Sequence, residues 1–348
     1  MGSFFFDGFD NLDLRYTAVA SNSLPPMLIP DVLPLGEPGL LVGDPSCGKS
    51  EFAQTISVGL SLGLPVLGLH IPDPVPVVYL ALEGSKPSLM ARIHRISREV
   101  APEFDEDDAA LLDANLHLLT PSPFSPIPKA ERLENIVNNI ARLSEKVRQP
   151  GLVVIDTLSH LIVGDENHAD SAREPWEMAQ AISNGYGWTV IMIHHLRKVI
   201  QGTGAPFRGR GVADVRGSSA HTASARFVLG LSLKRRSRSA YTGQADPGVA
   251  MELKVLKWND GPEDFTVQFR RDPDTGCLKK DDMEVPGHNG EKPSDNTKAG
   301  RLLQILQDPT LSEEESRERS LKLFRETKNP ETSLRSAVRH LRNKGSIP

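Results

Sequence analysis

The chain has 348 residues, of which 39 % are hydrophobic and 24 % are charged, and its formal net charge is −5. This composition is ordinary for a globular protein, and the length suits one large α/β domain, alone or with a small appendage. The negative net charge excludes a protein that binds nucleic acid through its overall charge, so any such contact must depend on local basic patches.

Two further features indicate a cytoplasmic protein. The only cysteines are Cys47 and Cys277, too few for a disulfide framework, which fits a reducing compartment. The amino-terminal sequence MGSFFFDGFDNLDL lacks the basic region of a signal peptide, and longer apolar stretches are broken by Gly and Pro. Those stretches are too short to span a bilayer, so we expect no contact with a membrane.

In chain order, residues 1–32 are an irregular leader, and strands alternate with helices between residues 33 and 285. Continuous apolar runs are typical of strands in a parallel sheet that is covered on both faces. Such runs predict buried strands at residues 39–42, 77–82, 152–155 and 189–193. Helical patterns at 49–62 and 132–147 lie between them, and repeated βα units predict a doubly wound, mostly parallel α/β sheet.

The rest of the chain contains further strand signals and a separate module. Three more strands are predicted at residues 227–233, 249–257 and 265–269. The acidic, proline-rich stretch 102–128 is expected to be an insertion at the edge of the sheet. Residues 286–296 have the composition of a linker. Residues 297–348 contain three helical patterns, at 298–307, 316–326 and 332–343, and then a short strand signal, which predicts a small winged-helix-like domain.

The last helical pattern of that domain supports two interpretations. Arg335, Arg339 and Arg342 form a basic stripe beside an apolar one. The stripe could read duplex DNA, or it could be the solvated face of a domain that docks on a protein partner.

The sequence GDPSCGKS at residues 43–50 matches the phosphate-binding loop motif G-x-x-x-x-G-K-[ST]. It follows a predicted strand and begins a predicted helix, which is the context that the motif requires. In such loops, backbone N–H groups and the helix dipole bind the phosphates of ATP, the lysine reaches the β- and γ-phosphates, and the hydroxyl binds Mg²⁺. The predicted nucleotide-binding residues are Gly43, Asp44, Pro45, Ser46, Cys47, Gly48, Lys49, Ser50 and Glu51.

Two carboxylates follow predicted strands. Asp156 comes directly after the strand 152–155, the pattern of a residue that binds Mg²⁺ together with Ser50. Thr157 follows it, so the base that activates water must come from another strand. Glu83, after the strand 77–82, could take a proton from the attacking water. The pattern leaves open a second interpretation, in which Glu83 is a surface residue that caps the next helix.

The strand 189–193 is followed by His194 and His195. A polar residue at that strand tip can sense the γ-phosphate and pass its loss to the next loop. A zinc site is disfavoured, because adjacent histidines do not readily converge on one ion and no Cys/His set has the spacing of a zinc finger.

Six segments in chain order resemble the RepA-type hexameric replicative helicases, which belong to the RecA/DnaB superfamily of P-loop ATPases. They are GDPSCGKS, VVYLALEGS, LVVIDTLSHL, MIHHLRK, VRGSSAHTASARF and KVLKWNDG, and they cover about residues 30–275. The phosphate loop is specific by itself, whereas the other segments are specific only as a set. The resemblance implies a RecA-like fold, and the module at 297–348 departs from the family pattern.

The resemblance also implies a role for each matched position. Glu83 would be the catalytic base, and His195 would contact the γ-phosphate. Arg216 would be an arginine finger that reaches the nucleotide of a neighbouring subunit and stabilises charge in the transition state. Lys257 would be a second cation acting on the neighbour, and Arg92 would lie near the nucleotide. For Lys257 and Arg92 the alternative is a solvated surface charge.

An arginine that acts on a neighbouring subunit requires an oligomer, and the family implies a hexameric ring. The segment 196–215 follows the strand that bears His195, is rich in glycine, and carries Arg197, Lys198, Arg208 and Arg210. A basic, flexible segment at this position is expected to bind single-stranded DNA in the channel of the ring. The alternative is a disordered surface loop.

The sequence thus predicts an ATP-dependent ring helicase or translocase on single-stranded DNA, in replication of the plasmid or phage type. The alternative is a RecA-like regulatory or loading ATPase that unwinds little, with a carboxy-terminal module that binds DNA or protein. A small-molecule kinase is disfavoured, because a monomeric kinase needs no arginine that acts on a neighbour.

Overall fold

The computed structural model describes most of the region between residues 26 and 281, and a small part of the region that follows. The described residues are 26–122, 128, 131–165, 168–196, 211–217, 219–234, 249–259, 261, 265–281, 302, 305–306 and 312–323. The leader up to residue 25, the segment 197–210, the linker 286–296 and most of 297–348 lie outside them. What we expect of those regions stays a prediction.

The described residues form eleven strands. They are β1 (Met27–Ile29), β2 (Leu33–Pro34), β3 (Pro38–Gly43), β4 (Val77–Ala81), β5 (Leu116–Leu119), β6 (Leu152–Asp156), β7 (Thr189–His195), β8 (Phe227–Lys234), β9 (Val249–Trp258), β10 (Thr266–Arg271) and β11 (Leu278–Lys280). Nine of these form one sheet in the order β11-β10-β9-β8-β3-β7-β6-β4-β5. The part from β8 to β5 is parallel, and β9, β10 and β11 extend it antiparallel.

All seven predicted strands are confirmed, with ends within two residues of the prediction. At the end of β7, His194 and His195 continue the strand beyond its apolar run. They do so because β3 provides a partner for each, pairing Val42 with His194 and Gly43 with His195. A strand predicted from an apolar run ends at the first polar residue, whereas the backbone hydrogen bonds between β3 and β7 do not depend on the polarity of the side chains.

The described helices are α1 (Lys49–Leu62), α2 (Lys86–Val100), α3 (Glu106–Asn115), α4 (Arg132–Ser144), α5 (Ala169–Tyr186), α6 (Ala220–Ser224) and α7 (Glu313–Leu323). Helices α1 and α2 bury apolar side chains such as Phe52 and Ile93 against one face of the sheet. Helices α4 and α5 bury Ile140 and Trp176 against the other face. The doubly wound α/β arrangement is therefore confirmed, and the core consists of two layers separated by the sheet.

The first described residues differ from the predicted leader. Strands β1 and β2 form a small antiparallel hairpin, and its residues Leu28, Ile29 and Leu33 are buried in the same cluster as α1. The boundary predicted after residue 32 thus falls inside a packed hairpin. Strands of two or three residues carry no recognisable period, so the sequence pattern could not find them.

The stretch 102–128 contributes α3 and β5, and β5 is the outermost strand beside β4. Its predicted position at the edge of the sheet is confirmed. The side chain of Asp105 accepts a hydrogen bond from the backbone N–H of Asp108 and begins the helix, so part of the acidic character of this stretch serves as a helix cap.

One helix of the carboxy-terminal module is described. Helix α7 begins three residues before the predicted pattern at 316–326, because Ser312 and Glu315 form a capping box. Leu302, Ile305 and Leu306 are also helical and lie within the first predicted helical pattern of the module, and the rest of the winged-helix prediction for 297–348 concerns residues outside the description. No helix within the described part of the chain is both long enough and apolar enough to cross a bilayer.

Candidate nucleotide site

The phosphate loop connects the end of β3 to the start of α1. Ser46 and Gly48 have left-handed backbone conformations, with φ of 61° and 94°. Gly43 is required by close packing, because a Cβ there would lie 2.5 Å from the carbonyl oxygen of Leu231 and 2.6 Å from the Sγ atom of Cys47. The loop therefore turns tightly and presents the amino-terminal end of α1, an arrangement that binds anions.

Lys49 is the first residue of α1, and its side chain lies back over the loop. The Nζ atom donates to the carbonyl oxygens of Gly43, at 3.0 Å, and Asp44, at 2.8 Å. The same atom is 3.3 Å from Nδ1 of His195. Burial lowers the pKa of Lys49, while Cys47, Asp156, Asp44 and Glu83 act in the opposite direction. A buried ammonium ion with several negative neighbours is suited to bind a phosphate group.

Asp156 is the last residue of β6 and is buried. Its Oδ2 atom accepts a hydrogen bond of 2.7 Å from the hydroxyl of Tyr79, and the same hydroxyl is 3.5 Å from the backbone carbonyl oxygen of Ser50. Burial raises the pKa of Asp156, although Tyr79 and the side chain of Ser50 favour the charged form. The structure therefore brings together Ser50 and Asp156, the two residues predicted to bind Mg²⁺.

Glu83 follows β4 and lies next to Asp156, because Ala81 pairs with Asp156 in the sheet. Its side chain is 50 % exposed, and Oε1 accepts a hydrogen bond of 2.9 Å from the Thr157 hydroxyl. The Nδ1 atom of His160 is 3.3 Å from the same oxygen. Helix α2 is capped by Ser85, so the interpretation of Glu83 as a helix cap is wrong.

His195 ends β7 between the phosphate loop and the segment that begins at residue 197. Burial lowers the pKa of its ring, and the nearby Lys49 ammonium lowers the pKa further. The next residue, Leu196, donates its backbone N–H to the carbonyl oxygen of Gly43 over 3.2 Å. The tip of β7 thus contacts the phosphate loop through both a side chain and the backbone.

Arg216 contacts the end of β7, and Lys257 lies near the end of β9. Arg216 is exposed, and its backbone N–H donates to the carbonyl oxygen of His195. The Lys257 ammonium donates to the carbonyl oxygens of Thr222, at 2.9 Å, and Ala225, at 2.6 Å, at the end of α6. Within its own chain, Lys257 therefore stabilises the helix that follows Arg216.

Arg92 is connected to Asp156 through buried side chains. Its Nη1 atom donates to Oε1 of Gln54, the Gln54 amide donates to the Tyr79 hydroxyl, and Tyr79 donates to Asp156. The distances are 3.4, 3.3 and 2.7 Å. Tyr79 and Gln54 were not among the predicted site residues. The signal in the sequence is a single hydroxyl group inside an apolar strand, since a buried tyrosine usually needs a hydrogen-bond partner.

The side chain of Glu51 forms an ion pair with Arg271 of β10 and is buried. Burial raises the pKa of Glu51, and Arg271 is the strongest influence that lowers it. Glu51 lies in the first turn of α1, where backbone N–H groups are available to bind an anion. No local pattern could have identified Arg271, which lies more than 200 residues farther along the chain.

The basic residues Arg197, Lys198, Arg208 and Arg210 lie outside the described residues. The two ends of their segment are described, and Leu196 pairs with Val215 in an isolated antiparallel bridge. Leu196 and Val215, on either side of this segment, therefore lie together at the tip of β7.

Comparison with known proteins agrees with this geometry. A family profile described as an AAA domain matches residues 16–201. A solved structure of an ATPase domain superposes with a TM-score of 0.54 at 16 % identity, over 79 % of this chain and 100 % of that chain. A DnaB-like replicative helicase, studied with its interactions with primase, gives a TM-score of 0.53 at 15 % identity, over 79 % of this chain and 68 % of that chain.

The sheet order, the phosphate loop and the carboxylates at neighbouring strand tips define a P-loop ATPase with a RecA-like fold. The chain belongs to the AAA-domain family, whose profile covers more than half of its length. The predicted fold class and the predicted superfamily are thereby confirmed.

Proposed function

We propose that the chain is an ATP-dependent ring helicase or translocase that moves on single-stranded DNA in replication of the plasmid or phage type. The observation that carries the proposal is the meeting of Lys49, Asp156, Glu83 and His195 at the tips of neighbouring parallel strands. The similarity to a DnaB-like replicative helicase supports the choice of a motor over other kinds of ATPase.

ATP is the proposed substrate, and the loop fits its phosphates. Backbone N–H groups at the start of α1 and the buried Lys49 ammonium provide positive charge in one place. A phosphate beside Lys49 would replace the carbonyl oxygens that its Nζ atom now contacts, and would favour the charged form of the lysine.

Mg²⁺ is the proposed cofactor, and the donor set fits it. Ser50 and Asp156 provide two adjacent oxygen ligands, and Mg²⁺ bound with a nucleotide typically takes only one or two protein ligands. When bound, the ion would neutralise charge on the phosphates. Tyr79 holds the Asp156 carboxylate in place.

Glu83 is the proposed general base. Thr157 and His160 orient its Oε1 atom, and half of its side chain is exposed, so water can reach the carboxylate. A carboxylate that is held in one orientation and remains solvated can accept a proton from an attacking water molecule. Its neighbour Asp156 is buried and is suited to binding a cation instead.

His195 is proposed to sense the γ-phosphate, because its ring already lies 3.3 Å from the Lys49 ammonium. Loss of the γ-phosphate would change the contacts of this ring and of the segment 197–210 that follows it. We propose that Arg197, Lys198, Arg208 and Arg210 bind the DNA backbone, so that the nucleotide state of the site changes the grip on DNA.

Arg216 is proposed to complete the site of a neighbouring subunit in a hexameric ring. Its exposed position supports this role. For Lys257 a role in the neighbour's site would require the ammonium to leave at least one of the carbonyl oxygens that it now contacts. We further propose that the module at 297–348 binds duplex DNA or a protein partner, and that the protein acts in the cytoplasm.

The decisive experiment is steady-state ATP hydrolysis at low salt, with and without unstructured single-stranded DNA. Lys49→Ala provides the inactive reference. Lys146→Ala is the matched control, because Lys146 is exposed and precedes the start of β6, at the opposite end of the parallel strands from the site. We expect DNA to stimulate hydrolysis several-fold in the wild type and in Lys146→Ala, and Lys49→Ala to be inactive. Hydrolysis that is indifferent to DNA contradicts the helicase and favours the regulatory or loading ATPase.

A further inference from the structure

His194 and His195 are adjacent on β7 but lie in different surroundings. His195 is half-buried beside Lys49, whereas His194 is fully buried on the other face of the sheet. The Nε2 atom of His194 is 3.0 Å from the backbone carbonyl oxygen of Arg216. A carbonyl oxygen can only accept, so Nε2 carries the proton and donates this hydrogen bond.

Two residues of β7 thereby hold the backbone of Arg216 by both of its polar groups. The carbonyl oxygen of His195 accepts from the Arg216 N–H over 3.0 Å, and the His194 ring donates to the Arg216 carbonyl oxygen. The bridge between Leu196 and Val215 lies next to this pair. The direction in which the Arg216 side chain leaves the backbone is therefore set at the tip of β7.

The ring of His194 is itself fixed by its neighbours. The His221 ring on α6 lies 5.2 Å away between centroids, and the indole N–H of Trp176 on α5 donates to Nδ1 of His221 over 3.1 Å. Burial lowers the pKa of His194 to about 4, so the ring is neutral at neutral pH. Its Nδ1 atom has no hydrogen-bond partner among the described residues, so the bond to Arg216 is its directional contact there.

The same tip of β7 also contacts the phosphate loop, through His195 with Lys49 and through Leu196 with Gly43. Three consecutive residues thus touch the chain's own nucleotide site on one side and the Arg216 backbone on the other. Each link in this connection is a contact of 3.0 to 3.3 Å between buried or strand-bound groups.

We propose that His194 is a positioning residue that aims Arg216 at the nucleotide of the neighbouring subunit. The inference rests on the proposed role of Arg216 in that neighbour's site. His194 itself contacts neither substrate nor the reacting atoms. It acts by holding the backbone of Arg216 against β7, the strand whose end also contacts the chain's own phosphate loop.

Two amide substitutions test the hydrogen bond with matched polarity. In His194→Gln the side-chain nitrogen can occupy the position of Nε2, whereas in His194→Asn it can reach only the position of Nδ1. Both variants place an uncharged amide in the same buried space. We expect His194→Asn to lower kcat on the order of tenfold to a hundredfold, since a displaced catalytic group loses about that much. We expect His194→Gln to retain most of the wild-type kcat.

A double-mutant cycle with Arg216→Ala separates positioning from a general structural effect. If His194 acts through Arg216, adding His194→Asn to Arg216→Ala has no further effect on kcat. The affinity for a fluorescent ATP analogue should be unchanged in His194→Asn, because the phosphate loop is intact. Thermal unfolding of every variant checks the fold, and His194→Phe, which keeps a ring without a donor, replaces His194→Asn if that variant does not fold.

Three results overturn the inference. The first is a loss of kcat in His194→Gln that equals the loss in His194→Asn. The second is a loss of kcat caused by His194→Asn that is as large in the Arg216→Ala background as in the wild type. The third is failure of both His194→Asn and His194→Phe to fold, which would make His194 a structural residue. Wild-type hydrolysis by Arg216→Ala has a different meaning, because it refutes the proposed role of Arg216 and removes the basis of the inference with it.

Discussion

Asp156 and Glu83 are two carboxylates at the tips of the adjacent strands β6 and β4, but their surroundings differ. Asp156 is buried, accepts a hydrogen bond from Tyr79, and has a pKa that burial raises. Glu83 is half-exposed, and its oxygen is held by Thr157 and His160. The sheet places the two groups side by side, and the local environment makes one suited to a cation and the other suited to water.

In the proposed mechanism, this difference in surroundings separates two chemical tasks that both need a carboxylate. A buried carboxylate is unfavourable by itself and is stabilised when a cation arrives, so it binds metal well. A solvated carboxylate that is oriented by hydrogen bonds can exchange protons with water. Substitutions that exchange acid for amide at each position should therefore have different consequences.

The largest effect is expected for Glu83→Gln. The amide cannot accept a proton from water, so kcat should fall on the order of a thousandfold. Binding of an ATP analogue should be unchanged, because the amide keeps the shape of the side chain. Quenched-flow hydrolysis and equilibrium binding measure the two quantities, and Glu103→Gln, an exposed residue after α2, is the matched control. A loss of binding equal to the loss of kcat would contradict the role of a base.

The second effect is expected for Asp156→Asn. Removal of the negative charge should raise the Mg²⁺ concentration for half-maximal hydrolysis about a hundredfold, because a direct ligand is weakened. Titration of Mg²⁺ at saturating ATP measures this shift, with Asp113→Asn, exposed on α3, as the control. An unchanged Mg²⁺ dependence would show that Asp156 does not contribute to the metal site.

A smaller effect is expected for Tyr79→Phe, which removes the hydrogen bond of 2.7 Å to Asp156. Loss of a group that orients a metal ligand typically weakens metal binding about tenfold. The same Mg²⁺ titration should show this intermediate shift, whereas the activity at saturating Mg²⁺ should approach that of the wild type. If Tyr79→Phe and the wild type depend equally on the Mg²⁺ concentration, Tyr79 does not contribute to metal binding.

The smallest effect concerns stability without nucleotide. Burial raises the pKa of Asp156, so between its unfolded and folded pKa values the folded protein retains a proton that the unfolded chain has released. The free energy of unfolding therefore falls as pH rises through this interval. Above the interval, the destabilisation caused by the buried, ionised Asp156 has reached its full value. At neutral pH, Asp156→Asn should raise the unfolding temperature by a few degrees, and Glu83→Gln should leave it nearly unchanged. A lower unfolding temperature in Asp156→Asn would contradict the account of this buried charge.

The sequence was sufficient to predict seven of the nine strands of the large sheet, whereas β5 and β11 were not predicted. Apolar runs identify buried strands, and residues that follow parallel strands must lie at the same end of the sheet. Lys49, Asp156, Glu83 and the pair His194 and His195 could therefore be predicted to lie close together, and the family resemblance selected His195. The phosphate loop also defined the first residue of α1, because the motif includes the start of the helix.

The contacts that orient these side chains could not be predicted. Two of these contacts join β4 to its neighbour β6. The Thr157 hydroxyl, after β6, donates to Glu83, after β4, and Tyr79 of β4 donates to Asp156 of β6. Both contacts therefore depend on the order of the strands in the sheet. The pairing of Glu51 with Arg271 depends on an antiparallel extension whose register has no local signature. Sequence periodicity reports burial along one element, whereas these contacts depend on which elements are neighbours.

The difference between His194 and His195 illustrates the same limit. Alternation along a strand predicts that adjacent residues face opposite sides of the sheet. It does not tell which histidine faces Lys49 and which one faces Arg216. The family resemblance implied that His195 faces the nucleotide, whereas the contact of His194 with Arg216 follows only from the return of the chain at Val215.

We propose that the state of the nucleotide at these strand tips controls the affinity for single-stranded DNA. Fluorescence anisotropy of a labelled oligonucleotide, with a non-hydrolysable ATP analogue or with ADP, tests this coupling directly. We expect affinities that differ about tenfold between the two nucleotides, and a difference that disappears in His195→Ala. Equal affinities with both nucleotides in the wild type would refute the proposed coupling.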